Sequence, residues 1–258
     1  MPTRRGCQAP PPTLSGRLPL AILSLIHQAD AGSGVFAEAA AQAGRTLEEA
    51  NLAAGAPPAR SLAEYGAVLV FGGSANPDED VEHPWLEAER ALLRDALALE
   101  LPVLAVCLGA QLLSQAAGGA APRCAEPEIG WHEVRRTREA GDDPVARVLP
   151  PGFSSFQWHA FRCQPPADAA VLAEGAQGIQ AFRLGERAWG LQFHAEVTRA
   201  SVRSWIRDHA PAEDRFSDAA PRFDPEALLA ETEARIEEWN ALGRTLCGAF
   251  LRAADDRR

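Results

Sequence analysis

A chain of 258 residues, 47% apolar and 23% charged, is long enough for one large α/β domain with a full hydrophobic core. Its formal charge of -10 repels phosphate backbones, so nucleic acid is not the expected partner. The sequence contains no lysine, which excludes lysine Schiff-base chemistry and a lysine-containing phosphate loop.

The five cysteines, Cys7, Cys107, Cys124, Cys163 and Cys247, are too few and too scattered for a disulfide scaffold. No two form a CxxC pair and no His/Cys cluster has zinc spacing, so no zinc site is expected. No apolar run reaches the roughly 18 residues of a membrane helix. Two early arginines are not followed by a long apolar segment, which argues against a signal peptide. A reducing cytoplasm is the expected setting.

Residues 1–17 are rich in proline and polar residues and predict a mobile tail. Leu20–Ile26 is a buried-strand candidate, followed by a Gly32/Gly34 turn and a helix over Val35–Ala43. Ala67–Phe71 is a second strand, closed by Gly72 and Gly73. Pro84–Leu99 has helical apolar spacing, with Pro84 suited to a first turn. Pro102–Val106 is a third strand and leads directly into a helix from Cys107 to Ala117. Strands alternating with helices imply a parallel sheet with crossover helices.

The middle of the chain changes character. Gly130–Arg138, Ser154–Trp158, Ala170–Ala173, Gly178–Leu184 and Ala188–Phe193 read as short strands, a mixed or antiparallel extension of the sheet. Arg199–His209 then predicts a helix. The segment 211–258 reads as a linker and a C-terminal amphipathic helix, with Asp224 as N-cap and Pro225 in the first turn. The stripe Leu228, Ile236, Trp239, Leu246 and Phe250 docks on the core of its own chain; a homodimer or partner contact is the alternative.

The most informative stretch is Val103–Gln111, in which a buried strand meets a helix at Cys107. Small residues, Ala105 and Gly109, stand at minus two and plus two, the layout of a nucleophile elbow. The helix N-terminus favours a thiolate, and the Leu108 N–H can face a developing oxyanion. The other four cysteines lack this context.

A cysteine nucleophile needs a base. Trp189–Phe193 is an apolar strand ending in His194, with Glu196 two positions on. In an extended segment that spacing puts both side chains on one side, so the carboxylate can fix the imidazole tautomer. His159, the main competitor, has no carboxylate at similarly short spacing and is ranked as a substrate-pocket residue. His27, His83, His132 and His209 are assigned structural or solvent roles. The Gly72-Gly73 turn allows close ligand approach, with the Gly73 N–H as a second oxyanion donor or simply a tight strand exit.

Taken together, Cys107-Leu-Gly-Ala-Gln111, Gly190-Leu-Gln-Phe-His194-Ala-Glu196-Val-Thr198 and Gly72-Gly73-Ser74 resemble the signatures of class I glutamine amidotransferases. The similarity spans roughly residues 18–208, with a domain expected over 18–210. His83-Pro-Trp-Leu-Glu, Glu128-Ile-Gly-Trp131 and Phe156-Gln-Trp-His159 look like features of stand-alone proteins similar to the amidotransferase domain of GMP synthetase. Ala105 stands where that family usually has glycine, and Ser74 and Ala195 where proline is common; all three are small enough to be tolerated.

The resemblance implies a flavodoxin-like three-layer sandwich with a mostly parallel central sheet, plus a C-terminal helical extension. It implies Cys107, His194 and Glu196 as the triad, Gly73 and Leu108 as oxyanion donors, and Gln111, Trp158 and His159 around the amino-acid end of glutamine. The implied chemistry is acyl transfer through a glutamyl thioester, without metal or organic cofactor. No glycine-rich ATP-binding module is legible, so an acceptor-activating synthetase is expected on another chain or not at all. A hydrolase of other γ-glutamyl amides and a silent regulatory subunit of the same fold are the competing readings.

Overall fold

Four-residue runs of wholly buried side chains, aliphatic but for Ser24, form the centre of a nine-stranded sheet, seen in a computed structural model that describes residues 20–209 and 223–256. In chain order the elements are β1 (Ile22–Leu25), α1 (Gly34–Gln42), β2 (Leu47–Ala50), β3 (Ala67–Val70), α2 (Trp85–Ala98), β4 (Val103–Val106) and α3 (Leu108–Ala116). There follow β5 (Arg123–Arg136), β6 (Gly152–Phe161), β7 (Ala170–Gly175), β8 (Gly178–Leu184), β9 (Ala188–Leu191), α4 (Arg199–His209) and α5 (Pro225–Asp255). The expected tail over 1–17 and most of the expected linker lie outside the described residues.

The strand order is β2-β1-β3-β4-β9-β8-β7-β5-β6. The run β2-β1-β3-β4-β9 is parallel, and every pairing from β9 through β8, β7 and β5 to β6 is antiparallel. The sheet is therefore mixed rather than strictly parallel. β9 is the seam: it lies parallel to β4 and antiparallel to β8, so the strand carrying the His194 segment sits beside the strand carrying Cys107.

Strand alternation sorts the core into two layers. Ile22, Leu69, Leu104 and Val106 pack with Val35 and Phe36 of α1, Val202 and Ile206 of α4, and Ile236, Leu246 and Phe250 of α5. Leu23, Leu25, Val68, Val70 and Val103 face the other way, against Leu86 and Leu93 of α2 and Leu112 and Leu113 of α3. This is the three-layer α/β sandwich of the sequence expectation.

Two strands differ from their sequence signals. β2 escapes the apolar-run criterion because Glu48 and Glu49 occupy half of a short edge strand. β5 begins upstream of Gly130, where Pro127 and a register shift between Arg123 and Glu128 obscure the alternation.

Helix α5 opens as its sequence suggests: the Asp224 carboxylate accepts from the Glu226 and Ala227 N–H groups, and Pro225 occupies the first turn. Its stripe packs onto α1, α4 and the sheet of its own chain. Ile236, Trp239, Leu246 and Phe250 are all buried, each worth roughly 1.5–3 kcal/mol of transfer free energy.

Candidate active site

The chain turns from β4 into α3 at Cys107, one of two described non-glycine residues with positive φ. Cys107 has φ 53 and ψ -113, a left-handed backbone for a residue with a Cβ, which costs about 1–3 kcal/mol unless the surroundings enforce it. They do so on both flanks. The Cys107 N–H donates to Leu191 O of β9 at 2.8 Å, and the Gly109 N–H donates to Phe71 O at 3.2 Å. A Cβ on Gly109 would stand 2.8 Å from both Val70 Cγ1 and Val70 O, so the position two after the cysteine admits only glycine. Leu108 follows as the first residue of α3, where a helix N–H has no intrahelical acceptor.

His194 follows the neighbouring strand β9. Its Nδ1 lies 2.7 Å from Glu196 Oε1, and both side chains are buried. A carboxylate accepts, so Nδ1 carries a proton and Nε2 is left toward the cysteine. His194 Cε1 and Cys107 Sγ lie 3.0 and 3.9 Å from the point a Cβ on Gly72 would occupy. The side chains of residues 107 and 194 therefore meet across one glycine. Burial opposes a charge on His194, but the adjacent carboxylate of Glu196 and the Cys107 sulfur outweigh it and raise its pKa to about 10.

The His-x-Glu segment is held from behind by groups far away in sequence. Trp239 Nε1 donates to His194 O at 2.8 Å, Asn240 Nδ2 to Val197 O at 2.6 Å, and the Val35 N–H to Glu196 O at 2.9 Å. Gly34 and Gly243 pack so closely on this segment that a Cβ at either would overlap the carbonyl oxygen of Glu196 or Ala195.

In front of Cys107 lies a pocket of about 290 Å³, lined by Gly73, Leu108, Gln111, Trp158 and His159, and reaching Pro77, Arg123 and Ile129. All five residues expected around substrate or oxyanion thus line one cavity with the candidate nucleophile. Gln111 is already engaged: its Nε2 donates to Phe161 O at 2.7 Å. The Cys107 thiol lies 3.8 Å from Trp158 O.

His159 does have a carboxylate, contrary to what its sequence neighbourhood suggests. Its cross-strand partner in the β5–β6 pairing is Glu128, whose Oε2 lies 3.2 Å from His159 Nε2, and Gln157 Oε1 lies 3.1 Å from the same nitrogen. Burial lowers the His159 pKa more than Glu128 restores it. His159 thus lines the pocket with its Nε2 tied to this network. His83 is half-buried beside Glu79, and His132 bonds the Ile129 carbonyl, while the His27 side chain is buried against the glycine turn.

Burial raises the pKa of three other described cysteines. It pushes the thiol of Cys124 up to about 11 and that of Cys247 to about 12, and holds Cys163 well above the ordinary range. Among the described residues no cluster of His, Cys, Asp and Glu could hold a metal, and no helix is long and apolar enough to cross a membrane.

Comparison with known proteins decides the family. The profile described as glutamine amidotransferase class-I matches residues 35–209. The chain belongs to that family. It is 27% identical over 221 residues to the glutamine amidotransferase-like protein YfeJ of Salmonella typhimurium, covering 84% of this chain and 89% of that one. Over 143 residues it is 26% identical to one subunit of the glutamine-hydrolysing GMP synthase of Saccharolobus solfataricus, covering 54% of this chain and 72% of that one. It is 35% identical over 143 residues to the GMP synthase of Thermomicrobium roseum, 54% of this chain but only 25% of that one. A solved glutamine amidotransferase of Thermotoga maritima superposes with a TM-score of 0.80 at 26% identity, over 93% of this chain and 100% of that one. The amidotransferase profile embraces both the elbow and the His-x-Glu segment. It stops short of α5, the helix that braces that segment.

Proposed function

We propose that this class I amidotransferase hydrolyses the side-chain amide of glutamine, with Cys107 as nucleophile, His194 as proton carrier and Glu196 as its orienting carboxylate. The observation that carries the reading is the convergence at Gly72: a strained cysteine and a carboxylate-bound imidazole lie within 4 Å of one point.

The chemistry follows from these positions. Cys107 gives its thiol proton to His194 Nε2 and its Sγ attacks the amide carbon, and the carbonyl oxygen takes up negative charge between the N–H groups of Gly73 and Leu108. His194 passes its Nε2 proton to the amide nitrogen, the C–N bond breaks, and ammonia leaves a glutamyl thioester. Water then gives a proton to His194 and attacks the thioester carbon, releasing glutamate and restoring the thiol. Glu196 holds the Nδ1 proton throughout, so that Nε2 is always the exchanging nitrogen. Gln111, Trp158 and His159 wall the end of the pocket that takes the amino acid.

The ammonia is delivered to an acceptor activated by a separate synthetase chain; the similarity to a GMP synthase component that is a chain of its own supports a two-chain arrangement. A second reading, hydrolysis of larger γ-glutamyl amides, is favoured by the extension of the pocket to Pro77, Arg123 and Ile129, which leaves room for a leaving group larger than ammonia. Ammonia or amine release from glutamine and a series of γ-glutamyl amines, in wild type and Cys107→Ala, tests both. Turnover lost in the variant supports the nucleophile, and the preferred substrate chooses between the readings. An inactive wild type whose Cys107 resists alkylation favours a silent regulatory protein instead.

A further inference from the structure

The loop after β1 grips the glycine turn from the side opposite the candidate nucleophile. His27 Nδ1 lies 2.9 Å from Gly72 O, and the Ser74 N–H donates to Gln28 Oε1 at 3.0 Å. Two consecutive side chains thus fix the groups on either side of Gly73. The Gly73 N–H between them meets no acceptor among the described residues, and Gly73 lines the pocket in front of Cys107.

The two faces of the turn are distinct. A Cβ on Gly73 would stand 2.9 Å from His27 Cβ, whereas a Cβ on Gly72 would point at His194 and Cys107. In a trans peptide the C=O and N–H point in opposite directions. Anchoring the Gly72 carbonyl on His27 therefore turns the Gly73 N–H away from His27 and toward the cysteine side.

His27 is itself rigidly held. Its Nε2 lies 2.8 Å from Glu89 Oε2, both side chains are almost wholly buried, and its ring stacks on Trp85 at 4.8 Å. A carbonyl oxygen only accepts, so Nδ1 must donate; the carboxylate at the other nitrogen also accepts. An imidazolium satisfies both at once. Burial works against that charge, but Glu89 more than offsets it and the His27 pKa is raised.

We propose that His27, braced by Glu89 and Trp85, is a positioning residue that sets the Gly72–Gly73 peptide so that the Gly73 N–H serves the oxyanion. The inference rests on the acyl-transfer reading above. It gives a buried histidine outside the Cys107–His194–Glu196 set a part in the rate of acylation, exerted through a backbone dipole and without contact to substrate.

Acyl transfer needs the oxyanion donor, whereas alkylation of Cys107 by iodoacetamide does not. The test compares kcat, KM and the alkylation rate in wild type, His27→Leu, which has no donor, and His27→Asn, whose amide nitrogen takes the place of Nδ1 beside the Gly72 carbonyl. His27→Leu is expected to lower kcat on glutamine, or on the γ-glutamyl amide the wild type prefers, by roughly a hundredfold, the effect of losing one oxyanion donor. KM and the alkylation rate stay near wild type, and His27→Asn recovers most of the loss. Unchanged kcat in His27→Leu, equal losses in both variants, or alkylation falling in step with kcat overturns the proposal. Should the leucine variant not fold, His27→Gln, whose longer amide superposes on Nε2 and meets Glu89 rather than Gly72, takes its place against His27→Asn with the same criteria. A wild type that turns over no substrate is a separate result: it refutes the acyl-transfer reading itself.

Discussion

Trp239 donates its indole N–H to the backbone carbonyl of His194 at 2.8 Å, tying the long C-terminal helix to the segment that presents the imidazole. The donor lies 45 residues beyond its acceptor and is buried among Phe153, Phe193 and Trp131. Trp239→Phe keeps an aromatic ring but leaves that carbonyl unpaired, at a cost of about 1–3 kcal/mol. The expected result is a lowered melting temperature together with a fall in kcat that exceeds any change in KM. A variant with wild-type kcat would show that the helix supports stability alone.

Two glycines of α5 give a paired test with opposite signs. Alanine at 243 would drive its Cβ into the Ala195 carbonyl, whereas alanine at 248 meets only the far end of the Arg252 side chain, at 3.4 Å. Gly248→Ala should gain up to about 1 kcal/mol from helix propensity. Gly243→Ala should lose about 1–3 kcal/mol through overpacking beside the His-x-Glu segment. Denaturant melts of the two variants check both; equal shifts would mean that α5 does not press on residue 195.

The raised pKa of His194 carries a pH prediction. Because the folded value lies above the ordinary 6.5, the stabilisation it reports is complete below that pH and is lost as pH rises through about 10. The imidazolium that protonates the departing amide nitrogen persists over the same range, so the alkaline limb of kcat/KM should lie well above neutrality, as a property of the coupled Cys107–His194 pair. Glu196→Gln removes the carboxylate and should move that limb down by roughly 1–3 pH units. A limb that stays in place would separate Glu196 from the proton-carrying role.

Selectivity among the thiols is a fourth expectation. Burial keeps Cys124, Cys163 and Cys247 as thiols far into the alkaline range. Brief iodoacetamide treatment of the folded protein near pH 8, read by peptide mass spectrometry, should modify Cys107 ahead of these three. Comparable labelling of Cys163 or Cys247 would show that the core around them opens readily.

Which of these relationships can be seen in the sequence depends on how local their signals are. The parallel strands are legible because both faces are covered, so each reads as an unbroken apolar run, as Ala67–Val70 and Val103–Val106 do. The elbow is legible because its requirement for small neighbours falls within five residues of chain, from Ala105 to Gly109. The His194–Glu196 contact is legible because extended backbone projects alternate side chains together. By contrast, the edge strand Leu47–Ala50 lacks the run because Glu48 and Glu49 fill two of its four positions. The Glu128–His159 pair depends on β5–β6 register, and the bonds from His27 to Gly72 and from Trp239 to His194 join segments 45 residues apart, with nothing in either segment naming its partner. What sequence hides here is the support behind the reacting groups, assembled only when the sheet and helices close on one another.

The central claim is that glutamine is opened by the sulfur of Cys107, and one measurement addresses it directly. Wild-type protein is mixed with excess glutamine, quenched in acid within the first turnover, digested and analysed by mass spectrometry for a glutamyl group. The expected result is a glutamyl adduct confined to the peptide carrying Cys107, formed as ammonia appears and absent from Cys107→Ala. Ammonia released without any such adduct, at an undiminished rate in the alanine variant, would contradict it.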